Sequence, residues 1–121
     1  MKNKKTLVLG ASLKPNRYSN IAIHKLKNSG IETVAFGLKP GNVSEVNIDT
    51  ELIDYDNIHT VMLYVNPMRQ KVYYDYIISL KPQRVIFNPG TENPDFIKIL
   101  EENKIDFEIA CSLVLLSTNQ Y

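Results

Sequence analysis

The strongest constraint on what this chain can fold into is the run Thr6-Leu7-Val8-Leu9, which ends in Gly10 and passes through Ala11-Ser12-Leu13-Lys14-Pro15-Asn16-Arg17-Tyr18 to Ser19 and Asn20. A short, continuously apolar run without polar alternation reads as a strand buried on both faces, which requires helices above and below a sheet. Pro15 keeps the chain irregular as far as Ser19, whose hydroxyl is placed to cap a helix over about residues 20–29. Ala22, Leu26 and Ser29 form that helix's packing face, and Gly30 is its stop. Strand, small-residue turn and helix N-terminus, in that order, present backbone N–H groups to an anion. The stretch is read as a phosphate-binding loop.

The alternation continues along the chain. Residues 32–36 are predicted as a second strand, closed by Gly37-Leu38-Lys39-Pro40-Gly41, which gives a right-handed βαβ unit. Residues 42–59 are polar and mixed; an extended piece is placed at 43–46 and a helical turn at 52–55. Residues 60–65 form a third buried strand, broken by Asn66-Pro67, and Val72, Tyr73, Tyr76, Ile77 and Leu80 then supply a helical face that Pro82 ends. A fourth strand at 84–87 runs into Asn88-Pro89-Gly90-Thr91-Glu92-Asn93-Pro94, where Asn93 is a helix cap and Pro94 a first helical residue of a helix over about 94–103. Residues 105–109 are the fifth strand, and 111–116 extend it or form a terminal helical turn. The expected architecture is one α/β domain over residues 1–121: a doubly wound, Rossmann-like parallel sheet of about five strands with helices on both faces.

In such sheets ligands bind outside the carboxyl ends of the strands, where strand order reverses. Four loops are thereby selected: 10–19, 37–41, 65–69 and 88–93. Set against the dinucleotide fingerprint, the first loop keeps Gly10 but has Ser12 and Pro15 where further glycines belong. A side chain at the second position obstructs the closest approach to a pyrophosphate, while the serine hydroxyl offers a hydrogen bond in return. Lys14, Asn16, Arg17 and Ser19 add charge and polarity. No acid follows the second strand to hold a ribose 2′-hydroxyl; Lys39 stands there instead, which disfavours NAD and suits a nucleotide with an extra ribose phosphate, such as NADP or coenzyme A, or else is a solvated turn lysine. Asn88, Pro89, Gly90, Thr91 and Asn93 read as a second cradle or as a capped turn alone. Val65, Asn66, Pro67 and Met68 line the space between the loops, with Arg69 either at a phosphate or in solvent.

Composition removes other classes. With 14 Lys and Arg against 13 Asp and Glu, the net charge of +1 provides no field for nucleic acid or an anionic membrane surface. The single cysteine, Cys111, forms no internal disulfide and is read as a small buried hydrophobe near the ligand edge. Met1-Lys2-Asn3-Lys4-Lys5 leads into a core strand rather than an apolar signal segment, and no apolar run approaches the roughly 20 residues that cross a bilayer, so a cytoplasmic protein is expected. His24 and His59 fall outside the ligand loops, Glu92 is read as a rim residue, and no metal-ligand cluster, Tyr-x-x-x-Lys pair, nucleophile elbow or phosphate-loop Gly-Lys-Ser/Thr occurs. No catalytic residue and no metal site are expected.

Gly10-Ala11-Ser12-x-x-Pro15-x-Arg17-Tyr18-Ser19, taken with Asn88-Pro89-Gly90-Thr91-Glu92-Asn93, resembles the small stand-alone CoA-binding domain proteins, themselves similar to the nucleotide-binding domain of the succinyl-CoA synthetase α subunit. The resemblance covers nearly the whole chain. It implies a Rossmann-like domain that binds coenzyme A or an acyl-CoA, with Ser12, Arg17, Tyr18 and Ser19 at phosphates, Lys39 near the adenosine end, and Val65, Asn66 and Pro67 beside the adenine. Family members often carry Val-Asn-Pro after the second strand, where this chain has Phe36-Gly37-Leu38-Lys39-Pro40. The synthetase's phosphorylated histidine lies in a further domain, so ligase chemistry is not expected. The leading expectation is a non-catalytic carrier, sensor or subunit, with a homodimer possible. The alternatives are a minimal NADP-dependent reductase, a nucleotide-binding subunit of a larger ligase, or an interaction module that has lost its ligand.

Overall fold

The structure, a computed structural model, describes residues 4–121; Met1, Lys2 and Asn3 of the polar lead-in lie outside the described residues. β1 (Thr6–Leu9), α1 (Tyr18–Asn28) and β2 (Thr33–Phe36) make the opening βαβ unit, followed by a hairpin of β3 (Gly41–Val43) and β4 (Val46–Asp49). Then come β5 (Thr60–Leu63), α2 (Pro67–Gln70), one 3₁₀ turn over Lys71–Tyr73, α3 (Tyr74–Ser79) and β6 (Arg84–Phe87). The chain closes with α4 (Pro94–Glu102), β7 (Asp106–Ile109) and α5 (Ser112–Ser117). The sheet order is β3-β4-β2-β1-β5-β6-β7, and every pairing is parallel except β3 with β4. The doubly wound α/β class is as expected.

Period-2 alternation splits the core between the two faces. Leu7 and Leu9 of β1, Val61 and Leu63 of β5, and Val85 and Phe87 of β6 pack with Ile77, Leu80, Phe96 and Leu100 from the α3 and α4 side. Val8, Met62 and Ile86 point the other way, onto Ala22, Ile23 and Leu26 of α1. Aromatic rings reinforce the α4 side: Tyr74 stacks on Phe96 at 4.4 Å, and Phe87 meets Phe96 edge-on at 6.0 Å.

Seven strands replace the expected five or so, because residues 41–49 add a two-stranded extension. The piece expected at 43–46 is the hairpin's turn, with Ser44 and Glu45 at φ 50° and 69°, the left-handed pair that a tight two-residue connection needs. Val43, Val46 and Ile48 are buried while Asn42 and Asn47 bond to each other at 2.9 Å across the exposed face. Three apolar residues among polar ones are too few to announce two strands. Residues 52–55 form no helical turn; Tyr55 instead donates to the Asp49 carboxylate.

The helices depart from expectation in detail. α1 begins at Tyr18, so Ser19 lies buried within its first turn and Arg17 occupies the capping position; Ser29 is exposed, and Ile23 fills the core place assigned to it. Val72 is 75 % exposed because the 3₁₀ turn resets the helical phase between α2 and α3, leaving Ile77 and Leu80 buried. Residues 111–116 resolve as the start of α5, with a half-buried Cys111 at its cap position. Asn93 caps α4, and Pro94 opens it, as expected.

At the amino end of the sheet, Thr60 Oγ1 accepts from Arg84 Nε at 2.8 Å and meets His59 Nδ1 at 2.8 Å, while the Arg84 guanidinium lies 4.4 Å over the Tyr121 ring. Burial, then the neighbouring Arg84 charge, hold the His59 imidazole below its ordinary value. The unfolded chain therefore binds a proton more readily than the folded one. Stability from this group is complete above pH ~6.5 and is lost as pH falls through that value toward the lower folded one. The unfolding midpoint is expected to drop on acidification from neutrality, and His59→Asn to flatten that dependence; equal slopes for the two proteins would refute the assignment.

Candidate ligand-binding site

Strand order reverses beside β1: the chain leaves β1 toward β2 across the α1 face and leaves β5 toward β6 across the α3 face. A crevice therefore opens at the carboxyl ends of β1 and β5. Three loops meet there in close contact. The N–H groups of Gly10 and Ala11 both donate to Phe36 O, at 2.9 and 2.8 Å, and Tyr64 N donates to Leu9 O at 2.9 Å. Gly10 has φ +102°, and a Cβ on it would sit 2.9 Å from the backbone of Tyr64 and 3.0 Å from Val65 Cγ2. A Cβ on Gly37 would lie 2.4 Å from Ala11 O. Both glycines thus serve the approach of loop to loop.

The helix N-termini that face this edge differ. Asn66 caps α2 by accepting from Arg69 N, and Asn93 caps α4 by accepting from Phe96 N, with Asp95 in the first turn of α4. Ser112 N, at the start of α5, is taken by Asn88 Oδ1 at 2.8 Å. α1 has no side-chain cap and no acid in its first turn. Its positive end is open. Lys14, Pro15, Asn16, Arg17 and Tyr18 are exposed around it, and among the described residues the side chains of Lys14, Arg17 and Lys39 have no ion-pair or hydrogen-bond partner. Ser12 is half-buried, its hydroxyl accepting from Lys14 N at 3.1 Å.

Loop 10–17 is held by a residue that sequence reasoning passed over. Asn20, 4 % exposed, donates from Nδ2 to Ser12 O at 2.9 Å. A buried asparagine on a helix's inward face was the available signal, since a buried amide needs partners. The rim is apolar: Leu13, Tyr18, Leu38 and Met68 are 43, 57, 71 and 92 % exposed, large values for such side chains on one edge. Leu13 lies over Gly41, and Gly37 N donates to Asp49 O at 3.0 Å. Asp49 is thus an acid beside the end of β2, supplied by the adjacent strand β4, in register with Phe36. Its carboxylate is engaged by Tyr55.

The second cradle is a braced wall. Asn88 donates to Leu63 O at 3.0 Å and accepts from Ser112 N; Thr91 donates to Asn88 O at 2.7 Å; Asn93 donates to Gln70 Oε1 and Tyr74 OH. All three are at least 96 % buried, at 1, 4 and 4 % exposure. Pro89 and Gly90 are exposed, and Gly90 N donates to Glu92 Oε1 at 2.8 Å. Val65 and Pro67 are half-buried beside the crevice, with Asn66 and Met68 exposed. The four expected loops are therefore brought to one edge, with 10–19 touching 37–41 on one side and 64–65 on the other, and 88–93 joined to the β5 end through Leu63 and Gln70. Gln70 is the second residue missed: it is fully buried within a four-residue helix, where no periodicity signals it.

An open groove of about 650 Å³ at the amino end, along β6 and β7, is lined by His59, Arg84 and Lys104 together with Glu101, Asp106 and Glu108. It lies at the wrong end of a parallel sheet for a nucleotide, and its acids oppose phosphate binding. No helix of the described residues is long and apolar enough to cross a membrane, and no group of three metal-binding side chains occurs among them.

Comparison with known proteins bears on the fold and the family. A crystal structure of an uncharacterized protein is similar at 47 % identity and TM-score 0.94, with 98 % of each chain covered. A hypothetical protein from Pyrococcus horikoshii OT3 is similar at 26 % identity and TM-score 0.86, covering 95 % of this chain and 82 % of that one. The structure of cell-free ID.343 from Thermus thermophilus shares the fold at 19 % identity and TM-score 0.85, over 98 % and 90 % of the two chains. No curated protein matches the chain. One family profile, described as a CoA binding domain, matches residues 4–117.

Proposed function

This chain belongs to the CoA-binding domain family, and from that premise we propose that it holds coenzyme A or an acyl-CoA at the β1–β5 crevice as a carrier, sensor or subunit, without transforming it. One observation carries the reading: the N-terminus of α1 is uncapped and free of acid while α2 and α4 are capped by Asn66 and Asn93. Orphan N–H groups and the helix dipole favour an anion at that point. The ligand's diphosphate is assigned there, with Ser12, Arg17 and Tyr18 supplying side chains and Ser19, whose side chain is buried, its backbone. Lys39 is assigned to the ribose phosphate, and Val65, Asn66 and Pro67 to the adenine. The apolar rim of Leu13, Leu38 and Met68 suits the uncharged parts of the ligand. Bound coenzyme A supplies a thiol or thioester, and the chain's residues bind and orient it. A cytoplasmic location and a homodimer belong to the same proposal.

A thermal-shift panel of coenzyme A, acetyl-CoA, NADP, NAD and ADP tests it. Ligand at 100 times its dissociation constant stabilises by about 2.7 kcal/mol, which raises the unfolding midpoint by on the order of 10 °C in a domain of this size. Coenzyme A or acetyl-CoA is expected to give the largest shift. Stabilisation by NADP without coenzyme A would replace the proposal with the reductase reading, and no shift at all would favour an interaction module.

A further inference from the structure

Gln70 sits fully buried between the β5 and β6 loops, and its side chain reaches both. Nε2 donates to Val65 O at 2.8 Å and to Thr91 O at 2.7 Å, while Oε1 accepts from Asn93 Nδ2 at 3.0 Å. Asn93 also donates to the Tyr74 hydroxyl at 2.7 Å, and its own Oδ1 caps α4. One primary amide thus links two loops and a helix start. Two donors and one acceptor on a single planar group match two carbonyls and one N–H, an arrangement that a carboxylate or a methionine cannot reproduce.

The link bears on the ligand crevice through Val65. Val65 Cγ2 and the Tyr64 backbone lie where a Cβ on Gly10 would sit, so the position of residues 64–65 decides how the Gly10–Ser12 turn rests against β5. Gln70 fixes the Val65 carbonyl toward the β6 loop. Without that amide, the buried Thr91 O and the part-buried Val65 O would lose the donor they share, and the two loops would separate or refold to find partners. We propose that Gln70 is a positioning residue for the crevice: it holds the β5 loop in the place that leaves the α1 turn correctly set for its anion. The inference rests on the proposed CoA-binding reading for its ligand, and on the hydrogen-bond network alone for its geometry.

Gln70→Met keeps the buried volume and removes all three bonds, and it is to be made in the full chain. Circular dichroism reports whether it folds, titration calorimetry its affinity for coenzyme A, and amide resonances the setting of Gly10, Ala11 and Val65 in the free protein. A role confined to stability lowers the unfolding midpoint and leaves those resonances and the affinity at lower temperature unmoved. Positioning predicts shifted Gly10 and Ala11 resonances and an affinity reduced by roughly tenfold or more. Unmoved resonances, or an affinity equal to that of the unaltered protein, overturn the proposal. Should the methionine variant fail to fold, Gln70→Glu, which retains length and the acceptor oxygen, takes the same two measurements. If the unaltered protein binds no coenzyme A, the functional reading fails, and the resonances alone then decide whether Gln70 sets the turn.

Discussion

Gly37→Ala is expected to lower both stability and ligand affinity, although it adds a single methyl group to a loop. The new Cβ would stand 2.4 Å from Ala11 O, 3.0 Å from Ile48 Cγ2 and 3.2 Å from Ala11 C. Two of those neighbours are backbone, which cannot rotate away as a side-chain tip can. Ala11 is itself fixed by its bond to Phe36 O at 2.8 Å, and Gly37 N by its bond to Asp49 O at 3.0 Å. Relief therefore means moving the Gly10–Ser12 backbone away from β2, the β4 edge away from β2, or both. Overpacking of this kind costs about 2 kcal/mol, and roughly 3–6 °C of midpoint accompanies each kcal/mol in a domain of this length. Because the displaced segment is Ala11–Ser12, coenzyme A affinity is expected to fall as well. A variant with an unchanged midpoint would show that the two loops are not in contact.

How much of this was legible in the sequence follows from range. Buried parallel strands announce themselves by composition, so Thr6–Leu9, Thr60–Leu63 and Arg84–Phe87 fell where apolar runs placed them. Asn93-Pro94 carries its cap and first turn in two adjacent residues. The hairpin at residues 41–49 was missed because its stability comes from pairing with β2, through Ala35↔Ile48 and Phe36↔Asp49, and local propensity says nothing of that. The same distinction applies within the site. Reversal of strand order selected all four loops, since topology alone dictates where they lie. Which polar groups in those loops stay free was not readable: Asn88 and Asn93 have donor chemistry suited to a ligand, yet their amide groups donate to Leu63, Gln70 and Tyr74, none of them a sequence neighbour, while the Thr91 hydroxyl turns back onto Asn88 O. Asp49 is the converse case. The residues that follow β2 in the chain include no acid, because the acid at that edge arrives on β4.

Arg17→Glu provides the sharpest separation of binding from folding, because the two effects carry opposite signs. Arg17 is exposed at the capping position of α1, its side chain makes no cap bond, and the helix has no acid in its first turn. A carboxylate placed there complements the helix dipole and can accept an orphan N–H, so stability is expected to hold or rise by a few tenths of a kcal/mol. An anionic ligand meets the reverse situation. It loses a charge-assisted hydrogen bond of about 1.5–3 kcal/mol and finds a negative group at the helix end it would have occupied. Affinity for coenzyme A is expected to fall roughly a hundredfold, as about 2.7 kcal/mol requires, with the unfolding midpoint of the free protein unchanged or slightly higher. Calorimetric titration and thermal melts of the same preparation read both quantities. Lys39→Ala then divides the ligand: it should weaken coenzyme A while leaving 3′-dephospho-CoA unaffected, since the dephosphorylated compound lacks the phosphate assigned to Lys39. Equal affinity of Arg17→Glu and the unaltered protein for coenzyme A would mean that the open end of α1 faces solvent and that the anion, if bound, sits elsewhere on the edge.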